Sequence, residues 1–205
     1  MKVAVVGTGI SGLSAAYRLA GKVELSVFEA EDRVGGHTAT KNVSVGGKEY
    51  AIDTGFIVFN EKTYPKFIAL MEELGVASQV TEMSFSVSCQ QTGLEYSGSN
   101  LDTLFAQRKN IVSPYFLGMV KDILRFNREA VEDLDREAFI EGQTLGEYLR
   151  EKNYGEGFKQ HYLLPMGSAI WSSGTADMDA FPVHFFVRFF KNHGLLQVAD
   201  RPRWF

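Results

Sequence analysis

Apolar residues fall in two short blocks at the start of the chain. Lys2-Val3-Ala4-Val5-Val6 is β-branched and apolar, which predicts a strand buried on both faces. Val23 to Phe28 predicts a second strand, and the residues from about Ser11 to Ala20 predict the helix between them. Thr38 to Val45 and Lys48 to Ile52 flank Gly46-Gly47, a β-hairpin signal, and Asp53-Thr54-Gly55 then reads as a tight turn. Thr63-Tyr64-Pro65 opens a helix with an apolar face of Phe67, Leu70, Met71 and Leu74, and Gly75 closes it. Met83, Phe85, Val87 and Cys89 alternate with polar residues, and Leu94 and Tyr96 alternate after Thr92-Gly93, predicting a second, half-exposed hairpin.

The remainder reads as helical. Ser113-Pro114 starts a long helix to about Glu137, and Thr144 with Glu147 form a capping box for a short one. Gly155 to Trp171 predicts a helix bent or broken near Pro165. Phe181 to Phe190, bracketed by Pro182 and Gly194, is unusually aromatic; it reads as a core helix apolar on nearly all sides, the alternative being a hydrophobic substrate tunnel or a membrane-surface contact.

The densest chemical signal is Gly7-Thr8-Gly9-Ile10-Ser11-Gly12, set between the first strand and its helix. Gly7 suits the tight turn, Gly9 lets backbone approach a pyrophosphate, and Gly12 lets the helix pack on the strand. The helix N-terminus, with Ile10 and Ser11 in its first turn, aims N–H groups and the positive dipole end at phosphates. Glu29 closes the second strand about 20 residues on, where an acid accepts hydrogen bonds from an adenosine ribose. This fingerprint does not choose between NAD and FAD. The segment after Glu29, Ala30-Glu31-Asp32-Arg33-Val34-Gly35-Gly36-His37, brings a second glycine pair for a close backbone approach to a diphosphate. Arg33 is either a cationic partner for phosphate or the cap of a helix end. A hairpin follows where a simple nicotinamide domain would continue into another βαβ unit.

The segments VAVVGTGISGLSAAYRLA, VFEAEDRVGGHTAT and YAIDTGFIVFNEKTYPKFIALMEELGV resemble the flavin-containing amine oxidase superfamily, which includes protoporphyrinogen oxidases and phytoene-type desaturases. Within it, the chain is most similar to bacterial proteins described only as predicted FAD-binding amine oxidases. The resemblance is specific over residues 2 to 75 and looser beyond. It implies FAD as cofactor, with Gly7, Gly9 and Gly12 bordering the pyrophosphate and Glu29, followed by Ala30, at the adenosine ribose. It places Arg33, Gly35 and Gly36 under the diphosphate and ribityl chain, and Thr54 and Gly55 near the isoalloxazine. His37 stands where the family most often has Arg after the glycine pair.

Composition narrows the partners. A net charge of −4 argues against nucleic acid as the main ligand. The single cysteine, Cys89, excludes an internal disulfide and fits a reducing, cytoplasmic setting; in Phe85 to Cys89 it reads as an inward-packed strand residue. No secretory leader is evident, and no apolar run reaches the roughly 18 residues of a membrane span. His161 and His184 lack a carboxylate or cysteine at ligand spacing, so no metal site is expected.

The expected fold class is therefore α/β: a partial Rossmann-like FAD-binding βαβ domain over residues 1–76, part of a discontinuous domain, plus an incomplete, mostly helical α+β substrate-binding portion with a hairpin over 77–205. The expected function is an FAD-dependent oxidoreductase of amine oxidase type, acting on a C–N or C–C bond of a small or hydrophobic, lipid-like substrate. The alternatives are an NAD-dependent dehydrogenase and a non-catalytic FAD-binding module. No catalytic residue is assigned. Asn60 and Tyr64 are candidates to line the flavin ring, with structural roles favoured for both. The superfamily resemblance implies a chain about twice as long, so the sequence reads as a fragment inactive by itself, its Arg201 to Phe205 tail without terminal structure.

Overall fold

The computed structural model describes residues 1–197 and 202–205. The chain divides into two compact units, Met1–Phe59 and Asn60–Phe205, which are treated separately.

In the first unit, β1 (Lys2–Val6) and β2 (Glu24–Phe28) pair in parallel, Lys2 opposite Glu24 and Val6 opposite Phe28, joined through α1 (Ile10–Leu19). Val3 and Val5 are half-buried, whereas Ala4 and Val6 are exposed, Val6 at 84%. The expected burial of β1 on both faces is thus corrected. The strand pairs only with β2 in a two-stranded sheet, so one face packs and the other stays open. Next come β3 (Thr38–Val45) and β4 (Lys48–Gly55), antiparallel and in register from Thr38↔Gly55 to Val45↔Lys48. Gly46 and Gly47 form the two-residue turn with φ of 60° and 80°. Positive φ at both positions is the primed geometry that matches strand twist. Asp53, Thr54 and Gly55 do not form a turn: they extend β4 against Thr38 to Thr40, because Thr40 donates to Asp53 Oδ1 (2.7 Å) and the ladder continues past Ile52.

The second unit holds the hydrophobic core. Pro65 starts α2 (Pro65–Leu74) and Gly75, at φ 66°, ends it. β5 (Ser86–Cys89) and β6 (Leu94–Ser97) form the second hairpin, with Val87 opposite Tyr96 and their inward positions half-buried or buried. α3 (Leu101–Leu104) and a 3₁₀ turn (Arg108–Val112) lead to α4 (Pro114–Asp135), capped by Ser113, whose hydroxyl accepts from the Phe116 N–H at 3.3 Å. α5 (Leu145–Glu151) carries the expected capping box: Glu147 N–H donates to Thr144 Oγ1 and Thr144 N–H to Glu147 Oε2.

The helix expected over 155–171 is broken as Pro165 implied. α6 (Glu156–Phe158) passes through a π-helical stretch, Lys159–Leu163, into α7 (Leu164–Trp171). Pro165 has no N–H to offer the His161 carbonyl four residues back. The Tyr96 hydroxyl, 65 residues away in sequence, donates to that carbonyl at 2.6 Å. After α8 (Thr175–Asp179), α9 (Val183–Asn192) buries Val183, Phe186, Val187 and Phe190. His184, Phe185 and Arg188 are exposed, so α9 is amphipathic rather than apolar on nearly all sides. The spacing i, i+3, i+4, i+7 makes one stripe, which packs against Trp171; its ring lies 4.8 Å from those of Phe181 and Phe189 and 5.6 Å from that of Phe186. A second cluster joins Phe126, Tyr148, Tyr154 and Phe158, with the Arg125 guanidinium 3.9 Å over the Tyr154 ring.

The tail is not without structure. Trp204 bridges to Asn60 and Thr81, its carbonyl accepting from the Thr81 N–H at 3.0 Å. Arg201, at the start of that tail, lies outside the described residues. Among the described residues no helix is long and apolar enough to cross a membrane.

Candidate functional site

The site is built on the turn from β1 into α1. Gly7, at φ 91°, turns the chain and donates its N–H to the Phe28 carbonyl at 2.7 Å. Gly12 sits against that turn: a Cβ there would overlap the Gly7 carbonyl oxygen. The space above Gly9 is open, since a Cβ there would meet nothing within 4 Å. Gly9 is the N-cap of α1, with no side chain capping it and no acidic residue in the first turn that holds Ile10, Ser11 and Gly12. The first N–H groups of a ten-residue helix therefore face the Gly9 side without a side-chain acceptor, a setting that favours an anion.

Glu29 follows β2 and is locked in place. Its Oε2 accepts from the Thr8 N–H (2.8 Å) and from the Thr8 hydroxyl; its Oε1 accepts from the N–H groups of Ala30 (2.8 Å) and Glu31 (3.1 Å). These bonds, the Thr8 hydroxyl first among them, hold its carboxyl down at about 2, so it is ionised at any physiological pH.

Thr8 also reaches the glycine pair. The Gly35 N–H donates to the Thr8 carbonyl at 3.0 Å, with a longer contact to the Thr8 hydroxyl. Gly35 and Gly36 take φ of 113° and 57°. Gly36 passes over Gly9 so closely that a Cβ on it would lie 3.0 Å from the Gly9 Cα. Arg33 caps no helix, which corrects that alternative: its guanidinium donates to the carbonyls of Val34, Gly36 (2.8 Å) and Thr38 (3.1 Å) and fixes the loop from inside. Thr38 completes the loop by donating its hydroxyl to the Gly35 carbonyl at 2.6 Å.

The hairpin joins at its open end. The His37 carbonyl accepts from the Phe56 N–H at 3.3 Å, and a Cβ on Gly55 would overlap that same carbonyl. The Thr54 hydroxyl donates to the Ala39 carbonyl at 2.8 Å. The structure thus gathers the β1–α1 turn, Glu29-Ala30 and the Arg33–Gly36 loop around Thr8, with His37 and Gly55 next along the chain. Asn60 and Tyr64 have structural roles in the second unit. The buried Asn60 carboxamide oxygen accepts from the N–H groups of Lys62 and Thr63, and Tyr64 packs edge-on to His193.

Thr8 is the residue that sequence reasoning left out. It is one of the few buried polar side chains, 3% exposed. Its signal was a hydroxyl between two turn glycines, where most residues would leave no group to reach across to Glu29.

An uncapped helix end under an open glycine, beside a permanently ionised carboxylate, can hold a phosphate and a vicinal diol together. The chain matches the flavin-containing amine oxidoreductase family over residues 10–196, and it belongs to that family. The family binds FAD and its members are oxidoreductases. No curated protein matches the chain. The donor set fits FAD: N–H groups for the diphosphate, a carboxylate for the ribose, and glycines wherever backbone must come close.

Proposed function

We propose that Met1–Phe59 is the nucleotide-holding part of a Rossmann-like, FAD-dependent oxidoreductase that oxidises a C–N or C–C bond of an amine or a hydrophobic substrate. The observation that carries this reading is the uncapped α1 N-terminus open above Gly9, with Glu29 ionised at the end of β2. The N–H groups of Ile10, Ser11 and Gly12 would hold the diphosphate, and Glu29 beside Ala30 would accept from the adenosine ribose. Gly35 and Gly36 would bring backbone N–H groups against the diphosphate, with Arg33 as the brace that keeps them there and a positive charge nearby. His37, Thr54 and Gly55 would border the flavin ring from the hairpin end. When bound, FAD supplies the hydride-accepting chemistry, and the protein's part is orientation and a dry setting.

The reading extends to residues 1–76 as one portion of a discontinuous FAD domain and 77–205 as part of a substrate-binding domain. The exposed apolar residues Val6, Val27 and Phe28 support further strands over the β1–β2 sheet. A cytoplasmic setting is part of the same reading, supported by the free thiol of Cys89.

The test is FAD titration of the protein and of Gly9→Glu, followed by flavin fluorescence. A glutamate at Gly9 would fill the open space above the helix end and set charge against charge. Loss of binding is expected; stoichiometric flavin on folded Gly9→Glu protein would overturn the assignment.

A further inference from the structure

The Glu29 carboxylate has no spare acceptor position. A carboxylate offers about four lone-pair sites. The four donors of Thr8 N–H, Thr8 hydroxyl, Ala30 N–H and Glu31 N–H take two on each oxygen. A ribose that bonds to Glu29 must therefore compete with one of them. Three of the four are backbone N–H groups, fixed by the β1–α1 turn and by the chain leaving β2. The Thr8 hydroxyl alone sits on a rotatable bond. The three fixed donors already set where the carboxylate lies, so the hydroxyl adds little to its position. What it does add is occupancy.

We propose that the Thr8 hydroxyl is a placeholder on Glu29 that a bound nucleotide's ribose displaces, so that Thr8 sets the affinity for the adenosine end of the cofactor. This rests on the assignment of Glu29 to the ribose. Thr8 is 3% exposed, so its hydroxyl, once displaced, exchanges a charged acceptor for a buried setting in which the Gly35 N–H and its own backbone are the nearest polar groups. Breaking that bond is a cost charged to every binding event. Thr8 is a positioning residue here: it touches the cofactor's acceptor and not the reacting atoms.

The experiment compares wild type, Thr8→Val, Thr8→Ser and Glu29→Ala in the full chain, by calorimetric titration with ADP and with FAD. Valine keeps the shape of threonine and removes the hydroxyl; serine keeps the hydroxyl. Thr8→Val is expected to bind both ligands more tightly, by about two- to tenfold, the range one net hydrogen bond spans. Thr8→Ser is expected to match wild type. The Glu29 carboxyl, followed by ¹³C NMR, is expected to titrate higher in Thr8→Val and near its wild-type value in Thr8→Ser, a readout that a purely structural role for Thr8 would not move selectively. Unchanged or weaker ADP binding by folded Thr8→Val overturns the proposal while leaving the ribose assignment in place. Unchanged ADP binding by Glu29→Ala overturns the ribose assignment itself, and the placeholder with it.

Discussion

The two units are held by different means. Every buried apolar side chain among the described residues lies in Asn60–Phe205, from Tyr96 to Leu196. In Met1–Phe59 the buried residues are Thr8 and Gly35, which are hydrogen-bonded to each other at the candidate site. The second unit is ordered by apolar burial, a non-directional force that tolerates exchange of one hydrophobe for another of like volume. The first is ordered by backbone hydrogen bonds, glycine geometry and one carboxylate, which tolerate almost no exchange. The part of the chain that must fit a ligand is the part where each bond has a direction.

That contrast is sharpest under substitution. Phe126→Ala removes a fully buried ring at the centre of the Tyr148, Tyr154 and Phe158 cluster. It should cost about 3–5 kcal/mol, read by denaturant unfolding of the second unit. Val5→Ala, at a half-buried position of β1, should cost less than about 1.5 kcal/mol. Equal losses would erase the distinction between the units.

Gly12→Ala tests the directional unit. Alanine gains about 1 kcal/mol over glycine in a helix interior. Here its methyl would overlap the Gly7 carbonyl oxygen, and overpacking against backbone costs about 1–3 kcal/mol. The expected net result is destabilisation and weaker FAD binding; a more stable Gly12→Ala protein would show that the turn is loose.

Glu29→Ala should weaken FAD by about ten- to a hundredfold, the range for one hydrogen bond to a charged group, with β1, α1 and β2 still folded by amide exchange. The smallest effect is in pH. Glu29 is held from an ordinary 4.5 down to about 2, so its contribution to the folded state is complete above 4.5 and is lost as the pH falls from there through 2. Protection of the Thr8 and Gly35 amides should decline over that window in wild type. Glu29→Gln, which does not titrate, should lack that component; identical profiles would place the acid sensitivity elsewhere.

What the sequence disclosed follows the same division. The βαβ order, the Gly46-Gly47 turn, Pro65 and Gly75 around α2, and the Thr144–Glu147 box were legible because each rests on neighbours a few residues apart. The alternation from Phe85 to Tyr96 was legible because a half-buried sheet writes its period into the chain. The full burial assigned to β1 failed because an apolar run does not reveal what covers it. The amphipathic character of α9 was hidden because Phe185 on its exposed side is as apolar as Phe186 on its buried one. At the site, the glycines and Glu29 announced themselves by spacing. Thr8 and the inward turn of Arg33 did not, since both depend on which carbonyl or carboxylate happens to lie within reach.

The π-helical stretch at Lys159–Leu163 ties the aromatic core to chain length. It accommodates one residue more per turn than an α-helix would. Shortening it by one residue would restore an unbroken α-helix but rotate everything after it by about 100° and draw it back by about 1.5 Å. Trp171 would swing away from Phe181, Phe186 and Phe189, and the Tyr96 hydroxyl would lose its carbonyl. A single-codon deletion there, conservative by the measure of local helix propensity, would dismantle packing on both sides of it.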